Sequence, residues 1–175
     1  MKKVLVVVDM QKDFVDGSLG TKEAVAIVDA VVNKVKGFDG ELIFTRDTHE
    51  EDYMESQEGK NLPVVHCVRN TEGWAIIPVL EEIRKTSPHS CYDKPTFGCT
   101  ALAEDLKNAY EAGEIESVEL IGLCTDICVV SNALLIKAFC PELPVSVDSA
   151  CCAGVTPEKH EAALETMRSC QILVK

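Results

Sequence analysis

Apolar and polar positions follow two periods along this chain. Short runs rich in β-branched residues stand at positions 4–8, 42–45, 64–68, 118–121, 145–147 and 172–174. Between them the apolar residues recur at helical spacing. In 21–37, Ala24, Ile27, Val28, Val31, Val32 and Val35 share one stripe, and Gly37 closes the segment. Residues 74–85 form a second helical segment. A third, 100–113, opens on Thr100 as N-cap and stops at Gly113; a fourth spans 126–139. The fifth, 156–170, begins Thr156-Pro157-Glu158, a capping threonine followed by proline at the first helical position. Strands that are apolar throughout are buried on both faces, which requires a parallel sheet with helices on each side. The pattern predicts an α/β fold: a three-layer α/β/α domain over residues 1–175, with a mainly parallel central sheet of roughly six strands. Ligands of such sheets bind beyond the carboxyl ends of the strands. The long polar connection 48–61 is expected to be a functional loop.

Composition narrows the classes. With 175 residues and 46% hydrophobic content, the chain can bury a core and is not expected to be disordered. A net charge of −12 argues against nucleic acid and against an anionic membrane surface as partners. No apolar run approaches the roughly 18 residues of a membrane span, and no signal peptide is evident, so a cytoplasmic protein is expected. Nine cysteines, an odd count without paired C-x-x-C spacing, suit free thiols rather than a disulfide framework. Cys140, Cys151, Cys152 and Cys170 are expected to be buried small apolar residues. A homo-oligomer is compatible with all of this.

Cys128 differs from those cysteines by its place. It lies in Gly122-Leu-Cys-Thr-Asp-Ile-Cys128-Val, after an apolar run and at the head of a helical one. There the first backbone N–H groups of the helix favour a thiolate and can hold an oxyanion. Asp9, which ends the first apolar run, and Lys94 complete a candidate site: an acid, an amine and a thiol drawn from distant segments. The plainer alternative is an aspartate closing a strand, a surface lysine and a buried cysteine. Asp47, His49, Glu58 and His66 form a second group, past the second run and in the third. Two imidazoles with two carboxylates suit Zn²⁺, Mn²⁺ or Fe²⁺ better than Mg²⁺ or Ca²⁺. Glu50, Glu51, Asp52 and Glu55 offer competing oxygens, while His89 and His160 stand outside any cluster. Among the few aromatics, Phe14, Trp74, Tyr92 and Phe97 fall near strand ends, where they could line a flat pocket for a planar ring or simply pack.

Taken together, Val7-Val-Asp9-Met-Gln-Lys-Asp13-Phe14, Thr45-Arg-Asp47-Thr-His49, Leu62-Pro-Val-Val-His66-Cys, Lys94-Pro-Thr-Phe97-Gly98 and Gly122-Leu-Cys-Thr-Asp126-Ile-Cys128-Val resemble the isochorismatase-like cysteine hydrolases, and within them the nicotinamidases. The resemblance implies an Asp9–Lys94–Cys128 triad, a cis peptide before Cys124, and an oxyanion hole from the N–H groups of Cys124 and Cys128. Alanine is common in relatives at position 124. It further implies one divalent transition ion, zinc first with manganese or iron as alternatives, held by Asp47, His49, His66 and, as fourth ligand, Glu58. The implied activity is hydrolysis of nicotinamide to nicotinate and ammonia in NAD salvage. The alternatives are another small amide of ureido or carbamoyl type, or a non-catalytic protein that binds metal or senses oxidants through Cys124 and Cys128.

Overall fold

The computed structural model describes residues 1–86 and 90–175; His89 lies outside the described residues. The first apolar run becomes β1 (Lys2–Val8), and its side chains divide by parity. Val4, Val6 and Val8 join one buried cluster, Leu5 and Val7 the other. That division follows from the two-residue period of a strand and gives the molecule three layers. Helices α1 (Lys12–Val15), α2 (Lys22–Ala26) and α3 (Val28–Gly37) precede β2 (Glu41–Asp47). After it come a 3₁₀ turn at Tyr53–Glu55, α4 (Gln57–Asn61), α5 (Pro78–Thr86), β3 (Ser90–Lys94), α6 (Thr100–Glu111) and β4 (Ile115–Leu123). A single π turn, Thr125–Val129, leads into α7 (Val130–Phe139), followed by β5 (Val145–Ala153), α8 (Pro157–Ser169) and β6 (Leu173–Val174). The six strands are all parallel, in the order β3-β2-β1-β4-β5-β6. Helices α6, α7 and α8 cover one face; α1, α2, α3 and α5 cover the other.

The three-layer parallel sheet is as expected, but its third strand is not the expected segment. Residues 64–67 form no strand, and Val68 makes only an isolated bridge to His49. Pro63 lacks the N–H a ladder needs, and Cys67 sits at φ 47, which breaks an extended run. The edge is taken instead by Ser90–Lys94, which is half polar and therefore carries a weak apolar signal. The helical segment 21–37 breaks at Ile27 into α2 and α3. The segment 74–85 starts its helix only at Pro78, because a proline ring inside a helix would strike the carbonyl four residues before it. Cys99, rather than Thr100, is the N-cap of α6, and Gly113 takes the left-handed φ of 72 that its place predicts. Thr156 caps α8 by accepting from Lys159 N. All nine cysteines are free, and Cys170 is exposed rather than buried. Among the described residues no helix is long and apolar enough to cross a membrane.

The strand order reverses direction between β1 and β4, the place where parallel sheets open a ligand crevice. Close approach of these strands depends on Gly122, whose φ is 113. A Cβ there would collide with the Val8 carbonyl oxygen.

Candidate active site

Four strands end at one place. Asp9 follows β1, Asp47 closes β2, Lys94 closes β3, and the peptide from Leu123 to Cys124, which is cis, leaves β4. Parallel pairing brings Asp47 directly opposite Lys94. The Thr125–Val129 turn then carries Cys128 back over the crevice. Lys94 is no surface lysine: it and Asp9 are both 0% exposed. Its ammonium lies 2.6 Å from Asp9 Oδ2, 3.3 Å from Cys128 Sγ and 3.3 Å from Asp47 Oδ1. A buried charge of this kind persists only when paired, and here the pairing prevails. Burial opposes the charge on Lys94, but Asp9, Cys128 and Asp47 together raise its pKa.

The Cys128 sulfur feels opposing influences. Burial pushes Cys128 well above an ordinary thiol, the Asp9 carboxylate pushes it further, and Lys94 only works against them. Burial also raises the Asp9 carboxyl, against Lys94 and with Asp47 adding to the rise. A raised acid beside a raised thiol can exchange one proton without changing the net charge of the buried cluster. Lys94→Ala should raise the thiol further, since it removes the cation 3.3 Å from the sulfur. Alkylation of Cys128 is then expected to shift to higher pH and to slow at neutral pH; an unchanged pH profile would separate Lys94 from the thiol.

Asp47 links this group to the second one. Its Oδ2 lies 3.0 Å from His49 Nε2 and 3.5 Å from His66 Nε2, and Glu58 Oε1 lies 3.6 and 3.9 Å from the same nitrogens. One ligand atom from each of the four lies within 4.8 Å of the others. Three features fit a bound divalent cation. His66 Nδ1 donates to the Val64 carbonyl at 2.7 Å, which leaves Nε2 as a lone pair facing the group. Burial resists ionisation of Asp47, yet the His49 and His66 imidazoles and the Lys94 ammonium beside it hold its carboxyl below the usual range. Asp9, Asp47 and Glu58 against Lys94 leave a surplus of negative charge that a divalent ion offsets. Of the competing oxygens, Glu50 is engaged by Arg69 at 2.9 Å.

A cavity of about 270 Å³ joins the two groups. Phe14, Phe97, Leu62, Ile127 and Val155 form apolar walls, with Asp47, Glu58, His66, Cys124 and Cys128 among the lining. The size suits a ligand smaller than the drug-sized molecules that fill roughly 300–1,000 Å³. Two of the expected aromatics are elsewhere. The Trp74 indole N–H donates to Thr48 Oγ1 at 2.9 Å, and its ring packs under Arg46. Tyr92 donates to Asp105 from the α6 face of the sheet. Both sit near strand ends in sequence, but strand parity and a loop turn them away.

Several residues of the site gave no sequence signal. Tyr53 rests against both imidazoles, with ring centroids 4.6 Å from His49 and 5.0 Å from His66. Gln11 accepts from Asp47 N at 2.7 Å and donates to Asp47 O at 2.8 Å, fixing the end of β2. His160, which stands outside any cluster in the sequence, lies 2.7 Å from Thr125 Oγ1 at the start of the turn that carries Cys128. Asn132 spends its whole amide on backbone: it donates to Cys128 O and Phe97 O at 2.8 and 3.1 Å and accepts from Cys99 N at 2.9 Å. It thus ties the 94–99 loop to the turn that carries Cys128. Asn132→Leu leaves a buried N–H and two carbonyls short of partners, so a loss of about 3 kcal/mol in denaturant unfolding is expected.

The profile of the isochorismatase domain matches residues 3–174, and the chain belongs to this family. It is a cysteine-dependent amidohydrolase. It is 29% identical over 174 residues, 94% of this chain and 93% of the relative, to the "Uncharacterized isochorismatase family protein PncA" of Bacillus subtilis (strain 168). Nicotinamidase PncA from Bacillus subtilis superimposes with a TM-score of 0.83 at 27% identity, covering 99% of each chain. Pyrazinamidase of Pyrococcus horikoshii, in complex with zinc, gives 0.80 at 26% identity, covering 100% of this chain and 99% of the other.

Proposed function

We propose that this chain, acting as one domain over residues 1–175, is a nicotinamidase that converts nicotinamide to nicotinate and ammonia. The observation that carries the reading is Lys94, whose ammonium touches Asp9, Cys128 and Asp47 at once and so joins the thiol to the Asp47, His49, Glu58 and His66 group. The names of the similar structures, nicotinamidase and zinc-bound pyrazinamidase, support the same substrate class.

In this reading Asp9 takes the Cys128 proton while Lys94 holds the pair in place. The sulfur attacks the carboxamide carbon to form a tetrahedral adduct. The backbone N–H groups of Cys124 and Cys128 are assigned to its oxyanion. Asp9 returns the proton to the departing nitrogen, ammonia leaves, and a thioester to Cys128 remains. Water assisted by Asp9 then hydrolyses it to the acid. Phe14 and Phe97 are assigned to the faces of the ring, in place of Trp74 and Tyr92. Asp47, His49, Glu58 and His66 would hold one divalent transition ion, zinc by preference, which when bound supplies a Lewis acid for a pyridine nitrogen. A cytoplasmic setting agrees with nine free thiols.

The test is ammonia release from nicotinamide, pyrazinamide and a set of ureido and carbamoyl compounds, each with and without chelator. Turnover of the two ring amides above the others supports the reading. Turnover confined to the non-aromatic compounds would replace it with a different small-amide hydrolase.

A further inference from the structure

Asp9 is usable as a base only if one of its oxygens is kept free and correctly turned, and the residue that turns it is in β2. Thr45 and Asp9 are both 0% exposed, so neither can find a partner in water. The Thr45 hydroxyl donates to Asp9 Oδ1 at 2.6 Å. An ionised carboxylate only accepts, so the direction of this bond is fixed. The main chain repeats the connection: Asp9 N–H points at Thr45 O at 3.2 Å and at Thr45 Oγ1 at 3.3 Å. Asp9 itself stands at φ 47, in the left-handed region, where these contacts help to hold it. With Oδ1 occupied, Oδ2 is directed to Lys94 at 2.6 Å. A carboxylate oxygen can accept more than one hydrogen bond, so beside the ammonium Oδ2 keeps acceptor capacity for a second donor.

We propose that Thr45 is a positioning residue for the reaction: its hydroxyl locks Oδ1 of Asp9 and thereby presents Oδ2 to the proton of Cys128. This rests on the amidase reading for its chemistry. The logic is that of a nucleophile and base whose base is oriented by a third group. Nothing is consumed: the thiol proton moves to Asp9 Oδ2, and the Thr45 O–H bond stays intact throughout.

Thr45→Val keeps the shape and removes the hydroxyl; Thr45→Ser keeps the hydroxyl and removes a methyl. Two measurements are made on each metal-loaded protein. One is the rate of iodoacetamide labelling at Cys128, read by peptide mass. The other is kcat and KM for nicotinamide. For Thr45→Val both the labelling rate and kcat should fall about tenfold or more, with KM within about twofold, because base orientation acts on the proton step and not on ring binding. Thr45→Ser should recover most of both rates, which a packing role would not predict. The proposal is overturned if Thr45→Val stays within about twofold of the parent in both rates, or if Thr45→Ser is as slow as Thr45→Val. Should Thr45→Val fail to fold, Thr45→Ala against Thr45→Ser makes the same comparison. If the parent protein does not hydrolyse nicotinamide, the substrate reading fails, yet the labelling rates still decide the role of Thr45.

Discussion

Cys128→Ala should leave a folded, metal-binding protein with no measurable ammonia release from nicotinamide. Removing the nucleophile of a covalent hydrolase costs on the order of 10⁶ in kcat, and what binding and the oxyanion donors retain falls below most assays. The thiol is buried at the end of the cavity, so losing one sulfur there should cost little of the fold. Cys124→Ala makes the matching control. Only its backbone N–H is assigned a role, whereas the Cys128 sulfur lies 3.3 Å from the Lys94 ammonium. Steady-state kinetics on both variants, with thermal unfolding to check the fold, decides the matter. Residual turnover in Cys128→Ala comparable to the parent removes Cys128 from the mechanism.

His49→Ala is expected to lose metal and activity together. His49 Nε2 is 3.0 Å from Asp47 Oδ2, and its removal leaves the group two carboxylates and one imidazole. Loss of a partner in the shell around a metal already costs about 10–100-fold in affinity, and loss of a direct ligand should cost at least the upper figure. Elemental analysis of the purified parent should find about one zinc, manganese or iron per chain, and the variant far less. Parent protein that is free of metal and hydrolyses nicotinamide at full rate in chelator would contradict the assignment.

Much of the site was legible because its residues sit where the apolar period stops. Asp9, Asp47 and the Cys124–Cys128 turn each follow a strongly apolar strand, and a parallel sheet gathers such ends at one edge. His66 was also found, though for a partly mistaken reason: it lies in an irregular segment, not a strand, and reaches the group through the loop that Asp13 pins by accepting from Cys67 N. Thr45, Gln11 and Asn132 were not legible. Each acts by hydrogen bonds to residues distant in sequence, and no local pattern marks a polar side chain for that task. Trp74 and Tyr92 erred the other way, since nearness to a strand end does not fix the direction of a ring.

The central place of β1 has a consequence for synthesis. Its partner β4 lies more than a hundred positions later, with Val6 beside Leu120. While the ribosome makes the intervening segment, β1 can pair with β2 on one side only. Its other edge, the run Val4 to Val8, stays open, apolar and rich in β-branched residues, the kind of edge that recruits other chains. Nascent or refolding protein is thus most prone to association before β4 arrives. Yield should fall with chain concentration, and Cys128, which follows β4, can join Asp9 and Lys94 only once that edge has closed.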